Sequence, residues 1–318
     1  METTALRRRL LAWYDRHARD LPWRRTRDPY AIWVSEIMLQ QTRVAAVIEH
    51  YHEFLKRFPT VETLASAREA SVLAVWSGLG YYRRARMLHA AARKVVRELG
   101  GEIPRTTAGL RELPGIGRYT AAAIASIASG ERAAVVDGNV ERVLQRLTGE
   151  RLDGEHVWRA AEELLAPRRP GDFNQAMMEL GATVCLPRGP LCLMCPLQEL
   201  CETRGELSVA GKAAPQEKRE IHYALNCRDN KVFLVQRPQN VSLMPGMWEL
   251  PELADANGKG GPWFTLRHSI TVTDYTVHVW RRALRSRAIG KWVAVERLRQ
   301  VALTGLARKI LRKAEILE

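Results

Sequence analysis

Apolar residues recur at three- and four-residue intervals through the first two hundred positions of the chain, then alternate with polar ones in parts of the last hundred. Val34, Ile37, Met38, Ala45 and Ile48 keep one such stripe. Leu73, Val75, Trp76 and Leu79 keep a second, and Met87, Leu88, Ala91, Val95 and Val96 a third. This is the spacing that lines apolar side chains along one helix face. The stripes are interrupted at Pro59, at Gly78 and Gly80, at Gly100 and Gly101, at Pro104, and at Pro114 with Gly115 and Gly117, the residues that most often end helices and make tight turns. Met1–Asp20 sets Arg7, Arg8 and Arg9 among Leu6, Leu10, Leu11 and Trp13 and predicts an amphipathic first helix. The character changes after Cys201. Gly205–Glu220 has no periodicity and is rich in Gly, Ala, Lys and Glu, so 205–218 is expected to be a linker. Tyr223–Cys227, Lys231–Gln236 and Tyr275–Trp280 read as strands, and Val295–Leu317 as a closing helix. The expected architecture is a mainly α region over 1–204 and a smaller α+β domain over 219–318.

Composition narrows this picture. With 318 residues the chain suits two domains, and 46% apolar with 26% charged residues supplies a core and a wettable surface. The net charge of +14 favours an anionic partner, of which nucleic acid is the commonest. No apolar run reaches the length of a secretory signal or a membrane span, so a cytoplasmic, membrane-free protein is expected. Of the five cysteines, Cys185, Cys192, Cys195 and Cys201 follow C-x6-C-x2-C-x5-C. In a reducing compartment such crowding points to metal rather than disulfides. Four thiolates suit zinc or an iron–sulfur core alike, and the spacing leaves both open. Cys227 stands apart on an expected strand and reads as a small buried hydrophobe.

Leu113-Pro114-Gly115-Ile116-Gly117-Arg118-Tyr119-Thr120 lies ahead of the small apolar helix Ala121–Ala128. A turn permitted by Gly115 and Gly117 leaves backbone N–H groups at a helix N-terminus, a geometry that takes a phosphate without reading sequence. The plainer alternative is an ordinary corner between two helices.

Taken together, this hairpin, Val135-Val136-Asp137-Gly138-Asn139-Val140-Glu141-Arg142-Val143, Phe173-Asn174-Gln175-Ala176-Met177-Met178-Glu179-Leu180-Gly181 and the cysteine spacing resemble the helix-hairpin-helix DNA glycosylase superfamily. Leu21-Pro22-Trp23-Arg24, Trp33-Val34-Ser35-Glu36-Ile37-Met38-Leu39-Gln40-Gln41-Thr42 and Gly78-Leu79-Gly80-Tyr81-Tyr82-Arg83-Arg84-Ala85 resemble its MutY-type adenine-removing branch. The resemblance is close over residues 5–201 and looser beyond. It implies a helix-hairpin-helix glycosylase region with a [4Fe–4S] cluster on Cys185, Cys192, Cys195 and Cys201. It further implies a monomer acting on double-stranded DNA with adenine mispaired against 8-oxoguanine or guanine.

Helical geometry alone turns Glu36 away from the stripe of its helix and makes it an exposed surface acid. The resemblance instead makes it the acid that protonates the adenine ring, which requires burial to raise its pKa and a cleft that closes over a flipped base. Asp137 precedes a helix and reads as its N-cap; the resemblance adds stabilisation of an oxocarbenium-like sugar, with Asn139 holding the polar network. Tyr119 stands where endonuclease III-like enzymes carry a nucleophilic lysine. Tyrosine forms no Schiff base, so a monofunctional enzyme is expected. Trp23, Arg24 and Glu179 match contacts to the extruded adenine, and Gln41, Leu79 and Tyr81 match the wedge left in the stack.

Residues 219–318 resemble a Nudix-like lesion-recognition domain, best at Gly246-Met247-Trp248-Glu249-Leu250-Pro251. The glutamate-rich metal helix of Nudix hydrolases is missing. Ile270-Thr271-Val272 stands where adenine-specific members carry Phe-Ser-His, so Thr271 alone keeps a hydroxyl toward the lesion. Two rival readings are a thymine- or uracil-removing mismatch glycosylase on the same scaffold and a non-catalytic iron–sulfur DNA-binding module.

Overall fold

The computed structural model describes residues 2–207, 217–241, 243–253, 261–270, 273–281 and 289–317, apart from the side chain of Ile270. Thr271, Val272 and most of the expected linker, 208–216, lie outside the described residues.

Among the described residues, eleven α-helices precede the first strand: α1 Thr3–His17, α2 Pro29–Leu39, α3 Val44–Arg57, α4 Val61–Ser66, α5 Glu69–Trp76, α6 Arg83–Leu99, α7 Thr107–Arg111, α8 Arg118–Ser129, α9 Gly138–Thr148, α10 Gly154–Leu164 and α11 Pro170–Thr183. The Val34–Ile48 stripe is split between α2 and α3, because Gln41 takes a left-handed backbone conformation (φ 55°) that no helix continues through. The hairpin expected from Gly115 and Gly117 joins α7 to α8. Gly115 supplies its left-handed residue at φ 79°, whereas Gly117 is extended and serves as the N-cap of α8. No helix among the described residues is long and apolar enough to cross a membrane.

The later strands are β1 Glu217–Leu225, β2 Cys227–Arg228, β3 Lys231–Gln236, β4 Trp248–Glu249, β5 Phe264–Ile270, β6 Thr273–Arg281 and β7 Gly290–Ala294. One sheet has the order β1-β6-β5, with β1 parallel and β5 antiparallel to β6; in the other, β3 pairs with β2, β4 and β7. The expected Val295–Leu317 helix is two pieces, a 3-10 segment Val295–Gln300 and α12 Gly305–Lys313. The break arises because the chain between them pairs with β4. Trp248 N–H donates to the Ala302 carbonyl and Thr304 N–H to the Trp248 carbonyl, after which the Thr304 hydroxyl caps α12. Cys227 is exposed rather than buried, since β2 is two residues long and turns both outward.

Contacts group the chain into Met1–Ala65 with Ala90–Ala210, and Ser66–His89 with Gly211–Glu318, so the grouping is not a single cut in sequence. Within the second unit, Ser77 and Tyr82 hydroxyls both donate to the buried Leu303 carbonyl at 2.9 and 2.8 Å. Its core collects Tyr223, Leu225, Val232, Leu234, Val277, Val279, Ile310 and Leu311.

Candidate active site

Helix α2 carries Glu36 into the interior of the first unit. Asp28 caps it, accepting from the Tyr30 and Ala31 amides at 3.1 and 3.3 Å, with Pro29 at the first helical position. Every residue from Tyr30 to Met38 is buried. The surface placement that periodicity predicts for Glu36 is therefore corrected. Both α3 and α8 pack on α2, and a helix covered on several sides hides its polar residues as well as its apolar stripe. Burial pushes the Glu36 carboxyl from its ordinary 4.5 up to about 7. A hydrogen bond from Tyr119 and the more distant charge of Arg24 oppose that rise, while the negative charge of Asp137 reinforces it. A carboxyl poised there gives up a proton near neutrality, which an exposed glutamate cannot do.

Tyr119 sits in the first turn of α8, and its hydroxyl has two acceptors within reach, the Met178 Sδ at 3.2 Å and the Glu36 carboxyl. The carboxylate is the stronger acceptor. Burial holds the phenol well above its ordinary range, so it remains a donor.

Asp137 caps α9. One carboxylate oxygen accepts from the Asn139 and Val140 amides at 3.0 and 2.8 Å, and the other from the Asn139 side chain at 3.0 Å. Asn139 in turn accepts from Arg142 at 2.8 Å. Arg142, to which the motifs assign nothing, also donates to the Gly181 carbonyl at 2.7 Å and the Cys185 carbonyl at 2.9 Å. It thus ties the Asp137 cap to the cysteine loop. Its signal was its position three residues after Asn139, on the same helical face. The close packing needs Gly181, where a Cβ would lie 2.6 Å from that of Asn139.

Trp23 is buried edge-on against Tyr51, with ring centroids 5.5 Å apart. Arg24 and Glu179 meet at 2.8 Å, but a third residue completes the set: Arg19 grips Glu179 with two guanidinium bonds of 2.7 Å and its own amide at 3.1 Å. The Glu179 side chain has no exposed surface. Burial would raise its carboxyl, yet the bonds from Arg19 and Arg24 outweigh that and hold it down at about 2. Arg19 was missed because it precedes the recognisable Leu21–Arg24 segment.

Among the expected wedge residues, Gln41 and Tyr81 are exposed and left-handed (φ 55° and 46°), whereas Leu79 is buried. Left-handed non-glycine residues cost energy and concentrate at functional positions. At the hairpin, a Cβ on Gly117 would meet nothing within 4 Å, and α8 has no side-chain cap. The first turn of α8 therefore has no side-chain cap competing for its amides, as a phosphate would need.

Cys185, Cys192, Cys195 and Cys201 line one small cavity with Arg146 and Arg204, and none forms a disulfide. Arg146 donates to Cys185 Sγ at 3.3 Å and to the Leu186 and Pro187 carbonyls at 2.7 and 3.0 Å. Four soft donors converging under two guanidiniums fit a thiolate-ligated cluster, whose negative charge these cations would balance.

The HhH-GPD superfamily base excision DNA repair protein model matches residues 34–167. The chain is 43% identical over 316 residues to the rat adenine DNA glycosylase, covering 79% of this chain and 61% of that protein. It is 54% identical over 218 residues to the human adenine DNA glycosylase, covering 64% and 40%. The chain thus spans less than two thirds of the length of either relative. A solved structure of a thermostable thymine-DNA glycosylase superposes with a TM-score of 0.60 at 33% identity, over 64% of this chain and 96% of that one.

Proposed function

The chain belongs to the HhH-GPD superfamily of base excision DNA repair proteins, on its MutY-type branch, and from that membership we propose that it is a monofunctional adenine DNA glycosylase. Its substrate is duplex DNA with adenine opposite 8-oxoguanine or guanine, and it acts as a monomer in the cytoplasm, on the nucleoid. The observation that carries this reading is the buried Glu36 carboxyl, raised to about 7 beside Asp137 and Tyr119. Adenine is a poor leaving group as an anion. Glu36 donates its proton to a ring nitrogen, the bond from sugar C1′ to N9 breaks, and the base leaves neutral. Asp137, anchored by two amides, places its carboxylate to balance the oxocarbenium charge. Water then adds its hydroxyl to C1′, and the released proton returns to the Glu36 carboxylate. Tyr119 orients Glu36 and offers no amine, so no strand-cutting Schiff base forms. Trp23, Arg24 and Glu179 border the extruded adenine, and Gln41, Leu79 and Tyr81 act as the wedge. The backbone around Gly115 and Gly117 holds a phosphate.

Cys185, Cys192, Cys195 and Cys201 hold a [4Fe–4S] cluster, which would cross-link the loop on which Arg142 and Arg146 bear. The sheet unit is Nudix-like and reads the base opposite the adenine. With Ile270-Thr271-Val272 in place of Phe-Ser-His, its preference for 8-oxoguanine over guanine is weaker than the branch's usual one.

The test uses duplexes with A opposite 8-oxoguanine, A opposite G, and T or U opposite G, followed by alkaline cleavage. Adenine release is expected, with little covalent product on borohydride trapping. Release of pyrimidine alone would establish the thymine- or uracil-removing reading, favoured by the superposition on a thymine-DNA glycosylase. No release from any duplex would leave a DNA-binding module.

A further inference from the structure

The three-stranded sheet turns Ile221, Tyr223, Leu225, Val277 and Val279 toward the core of its unit, and alternate residues of each strand to the opposite side. On that opposite side β1 and β6 run parallel in a register that sets His222 directly beside His278. Their rings stack with centroids 4.8 Å apart and planes 15° from parallel. Glu220, two residues before His222 and so on the same side, brings its carboxylate within 3.6 Å of His278 Nε2. One donor atom from each of the three residues lies within 4.8 Å of the other two. We propose that Glu220, His222 and His278 form a binding site for a divalent transition-metal ion of the zinc class, separate from the cysteine loop, which fastens β1 to β6.

Two imidazoles and one carboxylate are a donor set zinc accepts, with water completing the shell. Magnesium and calcium demand oxygen ligands and are excluded by the same set. Donors around a tetrahedral zinc stand about 3.3 Å apart, and the Glu220–His278 pair is already near that at 3.6 Å. The remaining contraction involves His222: the lone pairs of two stacked rings run nearly parallel in their planes, so one ring must rotate toward the ion, while the 71% exposed Glu220 side chain adjusts to meet it.

The neighbours orient the rings. Thr265, opposite His278 on β5, has its hydroxyl 3.1 Å from Nδ1. Accepting the Nδ1 proton there leaves the Nε2 lone pair facing Glu220, the outer-shell arrangement typical of metal-bound histidine. Trp280 donates its indole N–H to Nδ1 of His222 at 3.3 Å. Polar residues on the open face of a sheet are ordinary. What is not ordinary is the meeting of two stacked imidazoles, a carboxylate and a ring-orienting hydroxyl at one register position. β1 ends the three-stranded order, and its outer side is held only by a short bridge to residues 251–253, with Ala224 N–H donating to the Pro251 carbonyl and Leu253 N–H to the His222 carbonyl, so an ion here would add a second fastening on the β6 side.

The 318-residue chain, with its cysteine loop loaded, is dialysed to equilibrium against micromolar zinc, with magnesium as the control, and its metal content measured. The wild type is expected to take up one zinc per chain more than His278→Gln, and to melt at a temperature that rises with zinc while that of the variant does not. Glu220→Gln, at an exposed position that leaves the fold intact, is expected to bind roughly tenfold or more weakly. Equal zinc content in wild type and His278→Gln, or unchanged affinity in Glu220→Gln, overturns the proposal.

Discussion

Two glutamates are buried in the helical unit, and their surroundings treat charge in opposite ways. Around Glu36 a phenol hydrogen bond and the more distant charge of Arg24 are outweighed by burial, with a second carboxylate, Asp137, acting in the same sense as burial, and its pKa rises to about 7. Around Glu179, bonds from two guanidiniums and a backbone amide override the same burial and hold the pKa at about 2. The two residues lie on helices poor in charge: Glu36 is the one charged residue of α2, and Asp172 is the only other one on α11. The difference teaches that depth decides only the direction of the desolvation cost, and that partners decide whether the group stores a proton or a charge. One environment suits an acid; the other suits a rigid wall.

The largest test of that contrast is Glu36→Gln. It removes the transferable proton while keeping the shape, and adenine release is expected to fall by about 10²–10⁴, measured under single-turnover conditions. Retained activity would take the acid role from Glu36. Next is the Glu179 wall: Arg19→Met leaves a buried carboxylate with one guanidinium instead of two. A loss of about 3 kcal/mol is expected in urea unfolding, and a negligible loss would mean that Arg24 suffices. The third test is the pH dependence of stability. Glu36 keeps its proton up to about pH 7 when folded but only to about 4.5 when unfolded, so its contribution to stability is present below 4.5 and is lost as pH rises to 7. Glu179 holds its charge down to about 2 when folded, so its contribution is present above 4.5 and is lost as pH falls toward 2. Each limb is on the order of 3 kcal/mol. Glu36→Gln should flatten only the upper limb, and a profile unchanged by that substitution would contradict the assignment.

The smallest expected effects come from the hairpin. Gly115→Ala forces a side chain into a left-handed position and should cost about 1 kcal/mol. Gly117→Ala, with open space around it, should leave the melting temperature unchanged and weaken binding to undamaged duplex. Equal stability losses in the two variants would erase the distinction between a turn glycine and a ligand-facing one.

Much of this was legible along the chain. The α6 stripe, the β3 boundaries, the hairpin and the cysteine spacing are local patterns, and each element formed where its pattern lay. Glu36 was legible as a motif residue, but its burial was not, because the helix that covers it begins some eighty positions away. Arg19 carries no local signal because its partner Glu179 lies far along the chain, and Arg142 had only its spacing from Asn139, since its other partners, Gly181 and Cys185, are distant. Strands β4, β5 and β7 were missed because their residues become strand only by pairing. The Glu220–His222–His278 group depends on a parallel register between strands more than fifty residues apart.

By itself the sequence determined which residue types were present at which spacing: a carboxylate in a helical motif, an aspartate before a helix, a tyrosine two residues after a glycine turn, and four thiols within seventeen residues. These follow from covalent order and from short-range periodicity. Only the tertiary structure decided which carboxyl holds a proton and which holds a charge. A pKa is set by the water excluded and by the donors brought near, and both arrive from distant parts of the chain.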